Sequence, residues 1–227
     1  MPTLTFYPNS VSALALPYGP GNDINNGIAS WDDGGLSIIG PPDAAYSTAF
    51  AASMGTGTWF SDVLYLGNFV SGTTTLSNLP PTATLTAAKA TLRVRGTYTG
   101  ATMLAYTRIR SGATNSYTTY TGATSTREGG FSIPNGAVGD IALHNQAANP
   151  ILCSRSGSVT MRDLVLTTPG TFGVVIGFLT NGGGSISRQL EVDSLALEVT
   201  WATSPTADRS PFLSGLLASR FRRFART

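Results

Sequence analysis

Five of the twelve carboxylates, the one histidine and the one cysteine are the candidate side chains for catalysis or metal binding in this sequence. Asp32, Asp33, Asp62, Glu128 and Asp140 are candidates for a general acid and base of a glycosidase or depolymerase. Such a pair must stand about 5–10 Å apart, and the spacing along the chain selects no pair. His144 is the only histidine. A two-histidine metal site is therefore excluded, and a Ser-His-Asp arrangement would need partners from distant segments. Cys153 is the only cysteine, which excludes an internal disulfide, and it reads as a small core residue rather than a nucleophile. Asp32 and Asp33 follow Trp31 and could help bind Ca²⁺. No regular ligand spacing follows them, so turn capping is the expected role. No phosphate-binding loop, no GxGxxG before a helix, no HExxH and no CxxC pair is present. These residues predict no enzyme, no cofactor and no metal.

A second chemistry is stacking. Trp31 and Trp59 are the candidate ligand-binding aromatics, with Tyr98, Tyr106, Tyr117 and Tyr120 beside them. Exposed on a sandwich, they would form the face of a carbohydrate-binding module. The competing reading makes both tryptophans core or loop anchors, and it is the one expected here.

The elements that must position these groups read as strands. Over 186–201 (ISRQLEVDSLALEVTW), Leu195, Leu197, Val199 and Trp201 alternate with Ala196, Glu198 and Thr200, the period of a half-buried β-strand. Leu190 and Val192 alternate too, but out of phase by one residue, which predicts a β-bulge near Asp193-Ser194. Over 84–96, Ala88, Ala90, Leu92 and Val94 face one way and Lys89, Thr91, Arg93 and Arg95 the other. Arg93 and Arg95 are expected to keep that face in water. Further strands are predicted at 4–7, 11–16, 36–39, 58–66, 103–110, 116–121, 131–133 and 171–180, the last a continuous apolar run that fits burial on both faces. The segment 159–166 fits a helical turn or a strand. Residues 17–35 (PYGPGNDINNGIASWDDGG) have loop chemistry. The count of strands, almost without helix, predicts an all-β antiparallel sandwich of jelly-roll type.

Composition agrees. The 227 residues suffice for a large core, and only 11% are charged, against about 25% in an average soluble domain. No apolar run of about 18 residues predicts a membrane helix, and MPTLTFYPNS has the features of no signal peptide. The net charge of +2 hides an asymmetry. Residues 209–227 hold five arginines and no acid, while 1–208 hold nine basic against twelve acidic residues. Two units follow: a β-sandwich over 1–208, loop-rich in its first 35 residues, and a basic tail over 209–227.

The order of motifs carries a resemblance. Trp31 in a loop precedes PPDAAY (41–46) and SDVLYLGNF (61–69). Then come LPPTATLTAAKATLRVRG (79–96), VTMRDLVLTTPGTFGVVIGF (159–178) and QLEVDSLALEVTW (189–201). Over 29–201 this resembles a jelly-roll domain of tailed-phage virion proteins and some bacterial surface proteins. The Ala-rich stretch 85–89 and the segment 100–157 depart from that pattern. The resemblance implies a non-enzymatic, oligomer-forming structural module located in the virion: a capsid, head-decoration or tail component that self-associates, a trimer being one form, or docks on other virion subunits. The alternative is a carbohydrate-binding or host-surface-binding module.

The tail would do the docking. Ser210 can cap a helix and Pro211 suits its first position. Phe212 precedes an apolar stripe of Leu213, Leu216, Leu217, Phe221 and Phe224, with Arg222, Arg223 and Arg226 largely off it and Arg220 beside it. An amphipathic helix of about 15 residues needs a surface to order it. A virion subunit is the expected partner; its own domain, a membrane or nucleic acid are the others.

Overall fold

The computed structural model describes residues 1–14, 27–50, 53–54, 57–80, 82–99, 101–111, 131–145, 165, 169–182 and 186–203. In chain order these form β1 (Thr3–Phe6), β2 (Ser10–Leu14), β3 (Gly27–Ala29), β4 (Ser47–Phe50), β5 (Ser53–Met54), β6 (Gly57–Ser61), β7 (Val63–Gly67), β8 (Val70–Ser71) and β9 (Thr74–Thr75). The long strands follow: β10 (Ala83–Tyr98), β11 (Ala101–Ser111), β13 (Gly139–Asn145), β14 (Phe172–Gly182) and β15 (Ile186–Thr203), with the short β12 (Phe131–Ser132) between β11 and β13. The protein is all-β and sandwich-like.

Two sheets share one core. The first runs β1-β15-β10-β13, with β4 and β5 also paired to β15. The three short strands divide one edge of β15 between them: β1 beside Leu197–Thr200, β4 beside Leu190–Val192 and β5 beside Ile186–Ser187. The second sheet runs β12-β11-β14, and the far edge of β14 is shared by β6 and β7. β2 extends that edge antiparallel to β7, and β3 extends it parallel to β6. A β8–β9 hairpin joins Tyr7 to Val70 through two 2.8 Å backbone bonds.

Side-chain period explains the sheets. Leu195, Leu197 and Val199 of β15 and Ala88, Ala90, Leu92 and Val94 of β10 are fully buried, while Glu198 is exposed and Arg93 and Arg95 are half-buried. From the other side Phe172, Val174, Ile176 and Phe178 of β14 complete the core with Leu64, Leu66 and Met103. Each such large apolar side chain contributes about 1.5–3 kcal/mol by leaving water. Strand β14 is buried at every residue from Phe172 to Thr180, as its unbroken apolar run predicts.

The predicted bulge is present. Opposite β10 the register passes from Arg93↔Ser194 to Val94↔Val192, so Asp193 is the extra residue. Two expectations fail: Gly27–Ala29, inside the stretch 17–35 read as loop, is strand β3 paired parallel to β6, and 36–39 is no strand, Leu36–Ile38 forming a 3-10 turn. The apolar pattern of 36–39 is overridden by the residues before it. Gly35 takes φ 87, and the Asp33 carboxylate binds the Gly35 and Ser37 backbone N–H groups, which closes the chain into a turn. The predicted strand 58–66 is divided at Asp62 into β6 and β7. There the register along β14 slips by one residue, and the Ser61 hydroxyl accepts the Phe178 N–H at 3.0 Å in place of a backbone carbonyl.

One short segment ties the sheets together. Ile133 N–H bonds to Met103 O on β11, while Pro134 O accepts from Gly96 N–H on β10. Asn135 imitates a strand there: its side chain accepts from Tyr98 N–H and donates to Tyr98 O.

Candidate functional site

Two of the candidate carboxylates, Asp32 and Asp33, are used to hold backbone. Asp33 accepts from Gly35 N–H at 2.8 Å, Ser37 N–H at 2.7 Å and the Ser47 hydroxyl at 2.7 Å. Burial alone would raise its pKa. The bonds from Ser47, Ser37 and Gly35 outweigh that and lower it to about 2. At neutral pH it is a permanent anion, suited to fixing a turn and unsuited to donating a proton. Asp32 accepts from Thr48 N–H at 2.9 Å and returns a 3.0 Å bond from its own N–H to Thr48 O. The two aspartates thus staple the loop after Trp31 to β4, the capping role expected of them.

Trp31 itself is buried, 7% exposed. Its indole N–H donates to Asp62 O at 2.9 Å, and its ring meets Phe178 edge-on at 5.6 Å between centroids. The backbone kink at Asp62 frees that carbonyl, and Ser61 Oγ donates to it as well. The faces on which a sugar would stack are inside the core. Trp59 lies on β6 opposite Thr180 of β14. Tyr98 is half-buried and its hydroxyl donates to Ile133 O at 2.8 Å.

A polar cluster lies on the outer face of the β10–β15 pair. The Arg95 guanidinium grips Glu191 through two bonds, 2.7 and 2.8 Å, and sits 5.0 Å from the centroid of the Tyr46 ring. The Glu191 side-chain bond and charge raise the Arg95 pKa. Arg93 bridges Asp140 of β13 at 3.1 Å and Asp193 at 3.3 Å. Asp193 also accepts from the N–H groups of Asp43 and Ala44, at 3.2 and 3.3 Å. Loop 41–46 thereby closes over the sheet and buries the Asp193 side chain to 2% exposure. So Arg93 and Arg95 do more than wet a sheet face: they belong to a loop-holding network that the bulge at Asp193 makes reachable.

The remaining unusual group is Arg188. It is fully buried, and its Nε, Nη1 and Nη2 have no hydrogen-bond partner among the described residues. Desolvation lowers its pKa, but a guanidinium stays protonated in proteins. Thr180 Oγ1 is the other buried side-chain polar atom without a partner among the described residues. The alternation Arg188, Leu190, Val192 carried this information in the sequence, because it gives Arg188 the parity of the core.

Asp62 enters these contacts through its backbone carbonyl and Asp140 through its carboxylate on Arg93, and His144 lies on β13 opposite Ala90. Glu128, Cys153, Tyr117, Tyr120 and the docking residues Phe212, Leu213, Leu216, Leu217, Arg220, Phe221, Arg222, Arg223, Phe224 and Arg226 lie outside the described residues. Among the described residues, no group of three or more His, Cys, Asp or Glu is placed to hold a metal ion. Comparison with protein-family models, with curated proteins and with solved structures finds no match.

Proposed function

We propose that this chain is a jelly-roll structural subunit of a phage-like virion, acting by self-association or by docking on neighbouring subunits rather than by catalysis. The observation that carries the reading is the strand order. Along the chain, β4 lies in the first sheet, β6 and β7 in the second, β10 in the first, β11 and β12 in the second, β13 in the first, β14 in the second and β15 in the first. The sheets so built, β4-β15-β10-β13 and β7-β14-β11-β12, pair antiparallel throughout. That alternation supports reading the sandwich as the double Greek key of a jelly roll, an architecture shared by many capsid and lectin domains.

The use of charge supports a structural role within that architecture. Asp32, Asp33, Asp193, Glu191, Arg93 and Arg95 fix two loops and one sheet face. The sequence adds its resemblance over 29–201 and the arginine-rich amphipathic tail, which enters this proposal from its residues alone. Head, decoration and tail positions are all compatible with such a subunit.

Light scattering on a sizing column, run on the full-length chain and on a 1–208 truncation checked by circular dichroism, tests the proposal. The expected result is a defined oligomer or larger assembly that depends on 209–227. Two folded monomers would overturn it in favour of a carbohydrate- or host-surface-binding module, which a glycan array would then probe.

A further inference from the structure

The β14–β15 end of the sandwich holds a positive charge that the described protein does not neutralise. Arg188 stands two residues into β15, and Thr180 stands two residues before the end of β14. Leu190 and Val192 belong to the core, so Arg188, of the same parity, points between the sheets. Phe172, Val174, Ile176 and Phe178 belong to the core, so Thr180 points inward from the opposite sheet. Both residues are 0% exposed. The short connection between Gly182 and Ile186 keeps them at one end of the molecule. The acids nearest in sequence, Glu191 and Asp193, lie on the other face of β15 and are held by Arg95 and Arg93.

We infer that this end of the sandwich is an oxyanion site, in which the Arg188 guanidinium binds a carboxylate or phosphate group and the Thr180 hydroxyl donates to it. The chemistry follows from what the two side chains lack. A guanidinium has five N–H donors and no acceptor, so only an acceptor satisfies it. Water would supply acceptors but leave the charge, whereas a planar carboxylate or a phosphate matches the donor fork and neutralises it. Thr180 adds a hydroxyl donor from the facing sheet. The same oxyanion has two sources: a small anion from solution, or a carboxylate carried by a second copy of this chain. The site stands independently of the virion reading.

The test is thermal unfolding of the full-length chain at constant ionic strength, with chloride exchanged stepwise for phosphate or acetate. A solution anion gives a saturable rise in Tm that Arg188→Met abolishes. Thr180→Val, which removes one hydrogen bond, weakens the response about five-fold. A carboxylate from a second copy gives no anion response. Instead, light scattering finds a multimer that becomes a folded monomer on Arg188→Met. Should Arg188→Met fail to fold, the anion arm is read on the unaltered chain against Thr180→Val, and the mass arm on Arg188→Lys, which keeps the charge and loses the fork. The inference is overturned if no oxyanion raises the Tm of the unaltered chain and its mass is unchanged by the Arg188 and Thr180 substitutions.

Discussion

Replacing Asp33 by Asn keeps the shape of the side chain and removes its charge. Its ordinary pKa of 3.8 falls to about 2 in the fold. That difference, at about 1.36 kcal/mol per unit, sets a ceiling of ~2.4 kcal/mol at neutral pH. The side chain is only partly buried, so water screens some of this, and the expected loss is about 1–2 kcal/mol. The sign follows from linkage. A carboxyl whose folded pKa is depressed contributes its full stability above its unfolded pKa and loses it as pH falls through the folded one. Urea unfolding of both proteins should therefore differ by that amount at about pH 7, and the difference should vanish between about pH 4 and about pH 2. Circular dichroism follows the transition, and equal m-values confirm that the denatured states match. A difference independent of pH across that window would refute the electrostatic account. So would an Asn variant as stable as the parent at neutral pH, since Ser37 and Ser47 would then not be bonding a carboxylate.

Three further outcomes are expected. Asp193→Ala removes the acceptor of two backbone N–H groups and one partner of Arg93, and should lose about 2–3 kcal/mol in urea unfolding; amide exchange at Asp43 and Ala44 should quicken, and unchanged exchange would detach loop 41–46 from the network. Ala44 has φ 64, a conformation costing a non-glycine residue about 1–2 kcal/mol, so Ala44→Gly should raise stability by about 0.5–1 kcal/mol after the extra freedom of glycine in the unfolded chain is deducted; a fall in Tm would contradict it. Leu197, fully buried between Phe6 and Ala90, becomes an unpaired interior charge in Leu197→Asp, a loss comparable with a total stability of about 5–15 kcal/mol; soluble, thermally normal protein would disprove the position of β15 in the core.

What the sequence revealed was what a period of two can carry. The phases of β10 and β15 place their core residues, and the one-residue slip places the bulge at Asp193. Unbroken apolarity placed β14. What it hid were contacts between residues far apart in the chain. Arg93 and Arg95 have the alternation of a wet face, and nothing local says that Asp193 and Glu191, about a hundred residues later, stand opposite them. Strands β4 and β5 were invisible because two to four residues are too few to establish a period, and their pairing is dictated by the free edge of β15. Leu36–Ile38 misled because its apolar residues imitate a strand, while Asp33 and Gly35 decide its backbone. Strand β13 had only Ile141 and Leu143 to announce it.

The two groups of charges in this fold answer different questions. On the outer face of the β10–β15 pair Arg93 and Arg95 each have a carboxylate, and each carboxylate also touches a loop or a neighbouring strand, so its removal should register as lost stability whatever else is in solution. Arg188 has the opposite situation. A guanidinium enclosed without a partner opposes folding, and a chain that needed only a stable sandwich would do better with methionine there. On the oxyanion reading inferred above, its contribution depends on an anion that the described residues do not supply. The discriminating property is therefore the concentration dependence of the effect. Stability lost at Asp33 or Asp193 should be the same at every protein and anion concentration, whereas stability lost at Arg188 should grow with the concentration of whatever carries the oxyanion, as mass action requires.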